Sequence, residues 1–299
     1  MNAARVEVVE VAGTPVHAEL RGPAGSPAVV FVHGAMLDHT SWGPQVEALA
    51  VTHRVVSWDL PGHGRSKPLG AYGPSTGGEA LLAVLDRFGI ERAALVGLSV
   101  GGWIAQWVAK RHPERVSGLA CFDTTSLTEP TLPGIARWGL RHSAAITALL
   151  PFSLVRWIVP PVLARTPAAR RHARAAASRV SRQDFLRFWR GASRMLEPDP
   201  DHRHPAPLLI AHGAHDPVAR IPVYARRWAD RCPHARLEVL PGAGHLANLD
   251  APEATTAPCP MVTSGFTCAA WPIQLSWPRC ARRAARRANH ASSGSASGQ

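Results

Sequence analysis

The sequence predicts an α/β fold: a mostly parallel sheet with helices on both faces and a helical insertion. Three features point there. Short continuous apolar runs such as "PAVVFVHG" (27–34) end in turns, the mark of strands buried on both faces. Between such runs lie stretches with apolar residues at helical spacing, such as Leu81, Leu82 and Leu85. Strands that alternate with helices favour parallel pairing, because each helix returns the chain to the same end of the sheet.

The elements follow in order. "RVEVVEV" and "PVHAELRG" alternate apolar and polar residues and break at glycine and proline, so they read as a hairpin. The buried strand in 27–34 comes next, then a short helix over 42–50. "HRVVSWDLPGHGRS" is a second buried strand running into a glycine-rich loop, followed by a helix over 77–88. Then come strand "RAALVGL", helix "GGWIAQWVAKRH" and strand "VSGLACFD". After a long helical region, strand "PLLIAHG", helix "PVYARRWADRC" and strand "ARLEVLPG" complete the pattern.

The bulk numbers restrict the function class. The chain has 299 residues, enough for one large α/β domain with an insertion or for two small domains. A formal charge of +12 raises nucleic acid or an anionic surface as partners. The excess sits mainly in 137–194 and in "RRAARR" near the C-terminus. It reads as solvated helix faces, and no nucleic-acid motif accompanies it. Cysteines 121, 232, 259, 268 and 280 lack metal-ligand spacing and make no disulfide framework. The N-terminus has no apolar signal core, and no stretch approaches about 20 apolar residues. The expectation is a cytoplasmic protein with no cofactor, no metal, no nucleic-acid partner and no membrane partner. Oligomeric state is left open.

The chemistry begins at "LVGLSVGGW" (95–103). A Gly-x-Ser-x-Gly pattern at a strand-to-helix turn forms a nucleophile elbow, in which tight backbone packing lifts the serine above the sheet edge. Gly97, Gly101 and Gly102 supply neighbours without side chains, and Ser99 is the candidate nucleophile. A glycine-flanked serine in this place also suits a plain helix N-cap. A serine nucleophile needs a base, and the base needs an orienting acid. "LLIAHGAHDPVA" puts Asp216 after one buried strand, and "LEVLPGAGHLANLD" puts His245 after the next. Each alone is bland: an aspartate can cap a helix and a histidine can fill a turn. Together they stand at the strand ends where open α/β sheets gather their sites. Two backbone N–H groups must face the developing oxyanion. Val100, next to the serine, supplies one, and Ala35, in the loop after "FVHG", supplies the other. His33 and Gly34 shape that loop. His33 is a rival base, and His63 in "PGHGRS" reads as a turn residue.

With these pieces in place the chain resembles the α/β-hydrolase fold family. The matching stretches are "FVHGAMLDHTSW", "WDLPGHGRS", "VGLSVGG", "GAHDPV" and "GAGHLANLDAPE", in family order across 24–253. The subgroup similarity is to enol-lactone hydrolases, small esterases and cofactor-free perhydrolases. The resemblance implies Ser99 as nucleophile, Asp216 as acid and His245 as base, with Ala35 and Val100 at the oxyanion hole. It implies hydrolysis of a small-molecule carboxylic ester or lactone through an acyl-enzyme. A perhydrolase or haloperoxidase-like activity, a C–C bond hydrolase on the same triad, and a non-catalytic ligand-binding member are the rivals. Serine at 99 argues against the dehalogenases of the family, which carry an aspartate there. Asp123 is a second place where some members keep the acid.

The resemblance divides the chain into a core (1–125 and 205–253), a helical cap (126–204) and a tail (254–299). In the cap, Phe185, Phe188 and Trp189 fall on one helix face, as do Ile135 and Trp138, and most of these side chains are expected to pack cap onto core. Prolines 130, 133, 151, 160, 161 and 167 are expected to cut the cap into short helices; Arg137, Arg141 and Arg156 read first as solvated side chains, with contact to an acidic substrate as the alternative. After Glu253 neither the 3.6 nor the 2.0 period survives, and the tail reads as atypical, disordered or shifted in reading frame.

Overall fold

The computed structural model describes residues 4–204 and 207–256. Strands β1 (Arg5–Val11) and β2 (Thr14–Arg21) form the expected hairpin. β3 (Ala28–Val32), α1 (Gly43–Leu49), β4 (Arg54–Trp58), α2 (Thr76–Arg87), β5 (Ala93–Leu98), α3 (Val100–Arg111) and β6 (Val116–Phe122) follow. Four helices come before the sheet resumes: α4 (Gly134–Ala148), α5 (Phe152–Leu163), α6 (Pro167–Ser178) and α7 (Arg182–Ala192). β7 (Leu208–Gly213), α8 (Ile221–Arg231), β8 (Arg236–Leu240), α9 (Ala247–Asp250) and α10 (Pro252–Thr256) complete the described chain.

The eight strands lie in the order β1-β2-β4-β3-β5-β6-β7-β8. Pairing is antiparallel at β1–β2 and β2–β4 and parallel in every other pair. The alternation of side chains along each strand explains the continuous apolar runs. On β3, Val30 and Val32 join the apolar layer that holds α2, α3 and α8. Val29 and Phe31 join the opposite layer with α1 and α9. Both faces of the strand are dry, so every position is apolar. β5, β6 and β7 follow the same rule, with Leu95, Leu119 and Ile210 on one face and Val96, Phe122 and Leu209 on the other.

The inserted helices are not uniform. Ala169, Ala173 and Ala176 of α6 are buried in the layer around Trp42 and Phe122. Phe188 of α7 is fully buried in the other layer. Phe185 is buried and Trp189 packs against the same cap cluster, as their spacing led us to expect. Ile135 and Trp138 correct that expectation: both are exposed on α4. Proline placement holds at three of the sites, where Pro133 and Pro151 precede α4 and α5 and Pro167 opens α6. Pro160 instead lies inside α5, close enough to its end that the broken turn is the last one. Cys121 and Cys232 are buried free thiols, and burial pushes both above the ordinary thiol range. The other three cysteines lie outside the described residues. Among the described residues no helix is long and apolar enough to cross a membrane.

Helix α10 continues to Thr256, past the point at which helical period was expected to end. It is stitched to the core by one buried amide. Gln45 Nε2 donates to the Asn248 carbonyl at 3.0 Å, the Pro252 carbonyl at 3.3 Å and Thr255 Oγ1 at 2.8 Å. Gln45→Leu keeps the volume and removes the donor, leaving buried acceptors unpaired. We expect a loss of about 2 kcal/mol in urea unfolding, seen as a lower midpoint with an unchanged slope. An unchanged midpoint would show that α10 is held by packing alone.

Candidate active site

The turn after β5 sets the geometry. Ser99 has φ 54° and ψ −122°, a conformation that a side-chain-bearing residue adopts only under constraint. The constraint is backbone packed on backbone. A Cβ on Gly97 would come within 2.4 Å of the Gly101 carbonyl oxygen, and one on Gly101 within 2.3 Å of the Val32 carbonyl oxygen. Ser99 stands at the N-cap position of α3 but makes no capping bond. Its hydroxyl donates instead to His245 Nε2 at 3.0 Å. On the far side of the ring, His245 Nδ1 lies 3.1 and 3.0 Å from the two oxygens of Asp216. A proton on Nδ1 and a lone pair on Nε2 satisfy both bonds at once. All three side chains come from loops at the C-terminal ends of β5, β7 and β8. Asp216 also accepts from the Val218 N–H at 2.8 Å, which holds its carboxylate in a local turn.

The loop after β3 lies beside the serine: a Cβ on Gly34 would sit 3.4 Å from Ser99 Cβ. His33 is fully buried and its role is structural. Its Nε2 accepts from the Leu60 N–H at 2.9 Å, so the ring proton is on Nδ1, which donates to the Gly34 carbonyl at 2.7 Å. The Leu37 N–H reaches the same carbonyl at 3.2 Å. In a trans peptide the N–H points opposite to the carbonyl, so these two bonds turn the Ala35 N–H the other way. Met36, the next residue, is in the left-handed region at φ 62°. Burial pushes the His33 imidazole down and lowers His63 to about 3, so both rings stay neutral. His63 packs edge-on against Phe188 at 4.5 Å between ring centres.

Asp123 does not contact the base in place of Asp216. It sits behind the pair, fully buried, at φ 48°. Its Oδ1 accepts from the Gly213 N–H at 2.7 Å and its Oδ2 from the Ala247 N–H at 3.3 Å. Burial, and then the charge of Asp216, push its carboxyl well above the usual range. Asp250 is a further support the sequence did not reveal. It accepts from the Gly244 N–H at 3.0 Å, the Arg165 N–H at 2.9 Å and the Thr166 N–H at 2.7 Å. The Leu163 carbonyl accepts the His245 N–H at 2.9 Å, so the end of α5 is bound to the loop that carries the histidine.

The cap arginines lie at the surface. Arg156 donates to the Ser178 carbonyl at 3.1 Å, and Arg137 and Arg141 line a surface cleft with Trp138 and His142. Among the described residues two groups have ligand atoms close enough for a metal: Asp123, Asp216 and His245, and the buried set His17, Glu19 and His39. In the second, Arg65 Nη1 lies 3.4 Å and Arg21 Nη2 3.3 Å from the Glu19 carboxylate, so guanidinium groups supply the positive charge.

The model of the alpha/beta hydrolase family matches residues 29–257, and the chain belongs to that family. It is 26% identical over 234 residues to 3-oxoadipate enol-lactonase 2 of Acinetobacter baylyi, covering 78% of this chain and 87% of that one. The solved enol-lactonase of Burkholderia xenovorans LB400 superimposes with a TM-score of 0.67 at 27% identity, over 84% of this chain and 97% of the other. A thermophilic esterase from Thermogutta terrifontis shares the fold, with a TM-score of 0.73 at 24% identity over 85% and 96% of the two chains.

One titration is open to test. Burial raises Asp59, but the His39 bond at 2.8 Å and the His39 charge outweigh it and lower the carboxyl to about 2. A folded value below the unfolded one, about 4, gives stability that is full above that pH and lost as pH falls toward about 2. His39→Gln should remove part of it and move acid unfolding to higher pH. Coincident unfolding curves for the two proteins between pH 5 and 2 would rule the pair out as its source.

Proposed function

We propose that this protein is a serine hydrolase that cleaves carboxylic esters or lactones through an acyl-enzyme. The observation that carries the reading is the His245 ring, bonded to the Ser99 hydroxyl on one side and to the Asp216 carboxylate on the other. As Ser99 Oγ attacks the carbonyl carbon, its proton passes to His245 Nε2, and Asp216 stabilises the imidazolium that forms. The negative oxygen of the tetrahedral intermediate faces the Ala35 and Val100 N–H groups. Collapse of the intermediate expels the alkoxide, which takes the proton back from His245. With a lactone the leaving oxygen remains on the acyl chain. Water, deprotonated by His245, then attacks the acyl-enzyme and releases the acid and the free serine.

Two further points bear on the substrate. Ala35 and Met36 pack with Phe152, Val155 and Phe185, so the cap side of the oxyanion loop is apolar. The enol-lactonase relatives, at 26% and 27% identity, act on an ester linkage closed in a ring, as their names state.

The test is hydrolysis of a short-chain p-nitrophenyl ester by the purified chain beside Ser99→Ala. The variant should lose about three orders of magnitude or more in kcat while melting as the parent does. A parent no faster than the variant, with both proteins folded, would overturn the reading.

A further inference from the structure

Helix α5 is apolar except for Ser153 and Arg156. Phe152 and Val155 are buried against Met36 and Phe185. On the other side Leu154 and Trp157 are exposed, Trp157 by 65%, and Val162 is exposed in the last turn. A helix of this kind belongs inside a core or against a second apolar phase. The same face continues beyond α5. Leu149, in the turn between α4 and α5, is 85% exposed, and Trp138 on α4 is 57% exposed. Nine of the 14 exposed large apolar residues described fall between Ile135 and Val162, on α4, α5 and the turn that joins them, a concentration rather than the usual scatter.

Charge decides what covers it. Residues 130–183 hold nine arginines and no aspartate or glutamate. Arg137 and Arg141 flank Trp138 in one cleft, which suits an anionic headgroup. A second copy docked by the same face would set these arginines against their equivalents across a two-fold axis. Residues 257–299 hold five arginines and no acidic residue, so their charge has the same sign as the patch. An occupant that is apolar within and negative at its surface satisfies both the tryptophans and the arginines.

We propose that the outer face of α4 and α5 docks on an anionic lipid surface, with Trp138, Leu149 and Trp157 entering the boundary and Arg137 and Arg141 meeting headgroup phosphates. The sequence reading set aside a membrane partner because no segment is long enough to span one. A helix lying in the surface needs no such length. The inference is independent of the Ser99 chemistry, because it is read by binding alone.

The experiment is flotation of the full chain with phosphatidylcholine vesicles, with and without phosphatidylglycerol. The chain should float with the anionic vesicles, stay free of the neutral ones and detach as salt rises. The triple variant Leu149→Ser, Leu154→Ser, Trp157→Ser changes only exposed positions. It should weaken binding about tenfold or more without lowering the melting temperature. Arg137→Glu with Arg141→Glu should act in the same direction. The proposal is overturned if the parent does not float with anionic vesicles, if neutral vesicles serve equally well, or if both variants bind as the parent does. Loss of a dimer in the triple variant by light scattering, with no flotation of the parent, would assign the face to a second copy instead.

Discussion

The close approach of three backbone segments beneath Ser99 is the constraint on which the site depends. Gly97, Gly101 and the Val32 carbonyl meet at distances that no side chain tolerates. That contact holds Ser99 in a conformation costing about 1–3 kcal/mol, which the surrounding sheet and α3 offset. Release of the turn would let the serine relax into an ordinary helix cap, and the hydroxyl would lose its line to His245. The central parallel strands are therefore more than a scaffold. Their register, Val32 opposite Gly97 and Gly97 opposite Cys121, brings the loops of β3, β5 and β6 to one level.

A second carboxyl, beside Asp216, completes the arrangement. Asp123 bridges the main chain of the loop that carries Asp216 and the loop that carries His245. Burial and the neighbouring carboxylate push its carboxyl well above the usual range. Its two bonds hold both loops, and with them Asp216 and His245, at a fixed spacing.

Much of this was legible in the sequence, for identifiable reasons. Buried parallel strands show as unbroken apolar runs because both their faces are dry. Ser99, Asp216 and His245 stand out because each follows such a run and because glycine flanks the serine. Asp250 left no signal, since its three bonds are to backbone N–H groups, two of them in a segment some 85 residues earlier. The orientation of α4 was misread for a related reason: Ile135 and Trp138 share a face by spacing, but spacing does not say whether that face meets the core or the exterior. The division of labour within the insertion was equally hidden. The alanine-rich stretch of α6 reads as a generic helix, yet it packs on the sheet layer itself.

The bond from the His245 N–H to the Leu163 carbonyl has a consequence for traffic. It bolts the far end of α5 to the frame of the site, and the Asp250 carboxylate adds a second bolt at the start of α6. A door hung on that side would tear the base from its place each time it opened. The joint is a jamb, and any moving panel must be hung elsewhere. Helix α4 is tied instead to α7, where the Trp189 indole donates to Ser143 Oγ at 2.7 Å.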